Sequence, residues 1–315
     1  MKKYLTRALV ALAVTTIAVV ASVATYPAIG GKLYAADMQI ETALYGLHRA
    51  EVEGGDARLM TYQGGPAAPL GTVVMIHGYS ADKDVWVRFA RHFTSRYRVV
   101  IVDLPGHGDT PFDPALHYDT VSQAARVLRV MDVLGIRRAH LVGNSMGGFI
   151  AARMAHDHGD RVASATLMDA AGVISSLPSE MDRMVAAGRN PFEVSTQEDF
   201  RRFYGMTMAK APWVPGATLD FIGARYIAQR AQLARIFRDF HHVGLLDDSL
   251  ASIHVPVLVM WGAQDRLVHV SAAAKWAKGI PGARRVIYDD LGHMPMVEDP
   301  ARSAHDVLAF IERNP

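Results

Sequence analysis

The sequence contains no cysteine. That excludes disulfides, thiolate catalysis, thiolate metal sites and a lipid-modified N-terminal cysteine. It leaves the compartment open, because a chain of 315 residues, half of them apolar, builds a core that needs no disulfide staple. Charge of one sign is also lacking as a block. Lysine and arginine number 33 against 31 acidic residues, and no long single-sign run appears, so nothing points to a nucleic-acid partner. No internal repeat, low-complexity tract or metal-ligand cluster is visible, and no cofactor is expected.

What is present begins with a basic N-terminus, Lys2, Lys3 and Arg7, followed by a run from Ala8 to Ile29 without a charged residue. As a helix this run is ~33 Å long at ~1.5 Å per residue, enough for a hydrocarbon core of ~30 Å. Residues 1–31 are therefore expected to form a single transmembrane anchor. The basic end would stay in the cytoplasm, and the rest of the chain would lie on the periplasmic side of the inner membrane. A cleaved signal peptide, with Ser22 and Ala24 before the cut and a secreted product, is the alternative. Leu33, Ala36, Ile40, Leu44 and Leu47 then recur at steps of three and four with polar residues between them. This predicts an amphipathic helix over residues 32–50. Such a helix lies in the headgroup region, pairs with a second copy as a homodimer, or packs on the domain that follows.

From 51 to 315 the pattern alternates. Short apolar runs at Thr72–Ile76, Arg98–Val102, Ala139–Val142, Val162–Met168, Val255–Trp261 and Arg284–Tyr288 read as strands, with helical patterns between them. Apolar strands separated by helices predict a mostly parallel sheet covered on both faces. Sites in such sheets gather beyond the carboxyl ends of the strands. Gly172 to Leu246 breaks the rhythm with helices rich in aromatic residues and methionines, Met181, Met184, Met206 and Met208 among them. It reads as an inserted helical cap with an apolar underside, although most of these side chains would also serve as the cap's own small core.

Gly143-Asn144-Ser145-Met146-Gly147 is G-x-S-x-G placed between a strand and a helix. The turn is so tight that Gly143 and Gly147 must lack bulk, and it lifts the Ser145 hydroxyl clear of the sheet. A serine hydroxyl is a weak nucleophile and needs a base held by a third group. His293, after the last strand, is the expected base. Asp265, after the strand before it, is the expected acid, in the chain order Ser, acid, His. Asp169, at the end of the strand before the cap, competes for the acid's role and reads as an anchor of the cap entrance. His77 and His107 sit on other strand-end loops and read as loop-shaping. The remaining histidines tested, His156, His158, His241, His242, His269 and His305, are expected in solvent. Backbone amides of Tyr79, in His77-Gly78-Tyr79-Ser80, and Met146 are expected to form the oxyanion hole.

At these residues the sequence resembles the α/β-hydrolases. The segments that carry the resemblance are Val74-Met75-Ile76-His77-Gly78, Asp103-Leu104-Pro105-Gly106-His107-Gly108, Val142 to Gly148, Trp261 to Asp265 and Gly292 to Glu298. In the cap, Gln197-Glu198-Asp199-Phe200 and Lys210 to Pro215 resemble the lid of family V bacterial lipases. Membrane-bound monoacylglycerol lipases and membrane-anchored bacterial phospholipases A are similar in layout. The elbow is also similar to that of hydrolases that cleave carbon–carbon bonds in aromatic ring-fission products. The resemblance implies an α/β-hydrolase fold and a serine hydrolase acting on lipid esters. The alternatives are a carbon–carbon hydrolase, a small-molecule carboxylesterase, or a non-catalytic binding module on the same fold.

Overall fold

The computed structural model describes residues 27–315, together with residues 3, 7, 10, 14–16 and 19. Most of the apolar run expected to form the anchor lies outside the described residues. Among the described residues no helix is long and apolar enough to cross a membrane.

The described chain opens with helix α1, Pro27–Leu44. It starts earlier and ends earlier than the periodicity predicts, and residues 47–50 belong to a strand instead. Strands β1 (Leu47–Glu53) and β2 (Arg58–Gly64) form an antiparallel hairpin. Then come β3 (Thr72–Ile76), a 3-10 turn at Lys83–Trp86 running into the short helix α2 (Val87–Ala90), and β4 (Arg98–Val102). After these follow α3 (Thr120–Val133), β5 (Ala139–Asn144), α4 (Met146–Asp157) and β6 (Val162–Met168). Four cap helices intervene: α5 (Glu180–Ala186), α6 (Gln197–Thr207), α7 (Gly216–Ala228) and α8 (Arg230–Phe240). The chain returns through β7 (Val257–Gly262), α9 (Ser271–Gly279) and β8 (Arg284–Tyr288), and closes with α10 (Pro295–Glu298) and α11 (Pro300–Ile311).

The eight strands form one sheet in the order β1-β2-β4-β3-β5-β6-β7-β8. β1, β2 and β4 pair antiparallel, and all other pairs are parallel. The central parallel strands β3, β4, β5, β6 and β7 are mainly apolar and buried because both faces are covered. One buried cluster joins the sheet to α3, α4, α9 and the cap, and a second joins the opposite face to α2, α10 and α11. The strand order reverses at β3, which lies between β4 and β5. The crevice that such a reversal opens beyond the strand ends is where this sheet type holds its sites.

The cap leaves and rejoins the sheet at a narrow neck, where the Leu246 N–H donates to the Gly172 carbonyl at 2.9 Å. Capping boxes begin two of its helices, Ser179 with Asp182 and Thr196 with Asp199. Helix α1 lies against α7 at backbone distance. A Cβ on Gly30 would sit 1.9 Å from the Ala217 carbonyl oxygen, so only glycine fits there. The face of α1 turned to the body is thus Gly30, Gly31, Tyr34 and Met38. Leu33, Ile40 and Leu44, which belong to the expected apolar stripe, are 41, 59 and 74% exposed.

Candidate active site

Ser145 links β5 to α4 with φ +55° and ψ −117°. A side-chain-bearing residue holds such a conformation only when its surroundings over-determine it. Here the Ser145 N–H donates to the Met168 carbonyl, and its own carbonyl accepts from Phe149 and Ala171. The flanking glycines are obligatory. A Cβ at Gly143 would lie 2.1 Å from the Gly147 carbonyl oxygen, and one at Gly147 would lie 2.1 Å from that of Ile76.

The structure brings the expected acid and base together. His293 Nδ1 is 2.7 Å from Asp265 Oδ2, with both side chains buried. The other oxygen, Asp265 Oδ1, accepts from the backbone N–H of Leu267 and Val268. These donors fix the carboxylate and leave its second oxygen to the ring. The loop carrying His293 is itself stitched down. Asn144 donates to the His293 carbonyl at 2.9 Å, the His293 N–H donates to Thr207 in the cap, and Glu298 accepts from Gly292 and Met294. Glu298 also accepts from Ala209 and Lys210, so one carboxylate ties the histidine loop to the cap.

Asp169 lies buried beside this pair, at φ +48°. One of its oxygens accepts from Gly262 at 2.9 Å. Ligand atoms of Asp169, Asp265 and His293 all fall within 4.8 Å of one another. With Asp265 accepting from Leu267 and Val268 and meeting the His293 ring, the cluster reads as a hydrogen-bond chain.

Met146 is the first residue of α4, so its N–H is one of those that no helical carbonyl reaches. The loop after β3 passes directly over the serine: a Cβ on Gly78 would be 3.0 Å from that of Ser145. This brings the Tyr79 backbone to the other side of the crevice. His77 holds that loop, with one ring nitrogen on the Gly78 carbonyl and Nε2 accepting from the Leu104 N–H. Burial pushes its pKa down to about 4, so the ring is neutral. His107 packs against it at 4.9 Å and is pushed down to about 3, by burial first and then by His77. Beneath them Lys83 is buried with its ammonium on Asp103 at 2.8 Å and Asp109 at 2.7 Å.

A cavity of about 590 Å³ runs from Ser145 and His293 up into the cap and out beneath α1. Its apolar wall includes Tyr79, Phe192, Phe200, Phe203, Tyr226 and Leu233. Tyr79 packs on Phe192, Phe237 and Phe240, which joins floor to roof by aromatic contacts. Of the cap methionines only Met208 lines the cavity; Met181 and Met206 are buried in the cap's own core. Arg183, Arg189, Arg201 and Arg202 face outward. The sequence reading overlooked Arg225, which lines the cavity 3.8 Å from Asp82. Nothing in its spacing on α7 distinguished it from the outward arginines. His241 departs from the solvated expectation: it is half-buried, stacks on Phe237 at 4.2 Å, and is pushed down to about 4 by burial.

With this geometry in view, comparison with known proteins places the chain. The model of the alpha/beta hydrolase fold matches residues 71–300. The crystal structure of a membrane phospholipase A, described as a bacterial virulence factor, superposes with a TM-score of 0.86 at 35% identity, covering 100% of both chains. Lipase 3 of Moraxella sp. is 29% identical over 76% of this chain and 76% of its own. The monoacylglycerol lipase abhd6-A of Xenopus laevis is 27% identical over 95% of this chain and 92% of its own. The match over most of the sheet, with the serine at the elbow between β5 and α4, makes this chain a member of the alpha/beta hydrolase fold family.

Proposed function

We propose that the chain is a membrane-anchored serine hydrolase that cleaves carboxylic esters of lipids through an acyl-enzyme on Ser145. The chain is an ester hydrolase, as its lipase, monoacylglycerol lipase and phospholipase A relatives are named. The observation that carries the finer reading is the single cavity in which Ser145 and His293 meet the aromatic underside of the cap. Each acyl methylene buried there gains ~0.8 kcal/mol. In the proposed cycle, His293 takes the Ser145 proton as the oxygen attacks the ester carbonyl. Asp265 holds the ring and stabilises its cation, and the Tyr79 and Met146 amides receive the oxyanion. His293 then protonates the leaving alcohol and activates the water that frees the acid.

The anchor reading is supported by the uncharged run 8–29 and by apolar side chains that α1 and the cap leave exposed, Leu33, Ile40, Leu44 and Trp213. A tether raises the local concentration of lipid without new contacts at the site. The catalytic domain would then face the extracytoplasmic side. Arg225 and Asp82 favour one second reading, a hydrolase of polar ring-fission products, because they offer polar partners inside the cavity.

The test is kcat/KM across acyl lengths on one head group, below micelle formation, beside a ring-fission substrate. Values should climb with chain length until the cavity is full. A flat series, or preference for the ring-fission product, would overturn the lipid reading. Fractionation tests the tether: the intact protein should stay with membranes through alkaline washing, and N-terminal sequencing that starts at Thr25 would show cleavage instead.

A further inference from the structure

Asp169 is a fully buried carboxyl beside the His293–Asp265 pair that the proposed cycle does not use. Its Oδ1 accepts from the Gly262 N–H, while its Oδ2 is buried without a partner among the ordinary donors. A buried, unpartnered carboxylate oxygen is costly. The group it faces is Asp265, another carboxyl, with His293 beyond it and Glu298 at longer range. Two carboxyls in contact, closed off from water, do not both ionise. The donors decide which one keeps the charge. Asp265 receives N–H bonds from Leu267, Val268 and the His293 ring, whereas Asp169 receives one.

We propose that Asp169 is a neutral carboxylic acid whose O–H donates to Asp265, so that it is the positioning residue for the acid of the triad. The orphaned oxygen is then the one that carries the proton. Burial first, and the Asp265 charge second, hold the Asp169 carboxyl well above the usual carboxylate range, in keeping with that assignment. Asp265 becomes a carboxylate held by donors on both of its oxygens. The inference rests on the triad reading, whose own failure would appear separately as activity retained by Ser145→Ala.

The test compares two variants by pH–rate profile on a soluble short-chain ester. Asp169→Asn keeps a donor toward Asp265, an acceptor toward Gly262 and the net charge, so kcat should fall by no more than about threefold and the acid limb should not move. Asp169→Ala removes the donor, and kcat should fall ~10–100-fold with KM little changed. If Asp169 is ionised instead, Asp169→Asn deletes a negative charge beside His293, and the acid limb moves down by about a unit. That shift, or an alanine variant whose kcat matches the asparagine variant, overturns the proposal. Should neither variant fold, infrared spectra of wild-type protein with carboxyl-labelled aspartate decide it. A protonated-carboxyl band should persist above the titration of Asp82, which burial raises to about 8. Loss of every such band there overturns the proposal.

Discussion

On the floor of the cavity Lys83 is 2% exposed, with Asp103 at 0%, and the loop above them is pinned by the buried rings of His77 and His107. On the roof charged pairs lie outside, Arg202 with Glu198 and Asp199, and Arg201 with Asp220, with Arg225 beside Asp82 the exception. What holds the roof inside is aromatic contact, Phe203 with Phe192 at 5.0 Å and with Tyr226 at 5.2 Å. Directional, desolvated polar bonds fix atoms to a position, whereas apolar packing fixes a volume. The reacting groups need the first kind of restraint, and a flexible acyl chain needs the second.

The sharpest way to break that contrast is at the reacting atoms. Ser145→Ala and His293→Ala should each lower kcat by about 10⁴-fold or more with circular dichroism unchanged, because the triad acts as a unit. Near-normal turnover in either variant would remove the floor from the chemistry. Next comes the buried ion pair. Lys83→Met leaves Asp103 charged and unpaired, and should cost about 3–5 kcal/mol in urea unfolding. A loss below 1 kcal/mol would mean that the floor is no more tightly specified than the roof.

Acid probes the same floor. His77 and His107 are neutral in the fold down to about 4 and about 3, but take up protons near 6.5 once unfolded. The unfolded chain therefore binds more protons as pH falls from 6.5 to 4, and stability drops through that window, by about 3 kcal/mol for His77 alone. Asp82, raised to about 8, and Asp169, held well above the usual carboxylate range, work in the opposite direction over the same range, since their folded forms hold protons that the unfolded chain has released. His140 and His241, each pushed down to about 4 by burial, add to the loss. The net loss should appear as a falling Tm, and His107→Gln should flatten it. An unchanged slope in that variant would show that the ring titrates in the fold as it does outside.

Smaller effects belong to the roof. Phe203→Ala should lower kcat/KM about tenfold on long-chain esters and leave two-carbon esters untouched, through lost aromatic packing. Equal losses on both would show that the cap shapes the floor after all. Smallest of all, Arg202→Ala should change stability by no more than about 0.5 kcal/mol.

The same division decides what could be read from sequence. The central parallel strands were legible because both of their faces are buried, so they read as short, mainly apolar runs from Thr72 to Ile76 and from Val162 to Met168. β1 was not. Only Leu47 and Val52 of its seven residues are buried, and their spacing let Leu47 pass for the end of an amphipathic helix. On α1 the periodicity was real, but of the readings it left open, packing of the leucine stripe on the domain is not the one the fold takes. Glycine and tyrosine make the contact with the cap, and the leucine stripe is left outside. At the site, Ser145, Asp265 and His293 could be ordered from strand ends alone. Asn144 and Glu298 could not be assigned their tasks, because what each one holds lies across the fold: a carbonyl on a distant loop, and amides on two elements at once.

The neck at Gly172 and Leu246 has a consequence for how such a molecule changes over generations. Its two ends are joined by a backbone hydrogen bond, so the segment between them leaves and rejoins the sheet at one point. Lengthening or replacing a segment whose ends are already together costs little closure entropy, about 0.6 kcal/mol for a doubling of length. β6 and β7 remain paired from Ala165 with Val257 to Met168 with Met260 whatever that segment contains. Substrate choice can therefore be rewritten within one continuous stretch of chain, as long as the backbone of Thr207, Ala209 and Lys210 still holds the histidine loop.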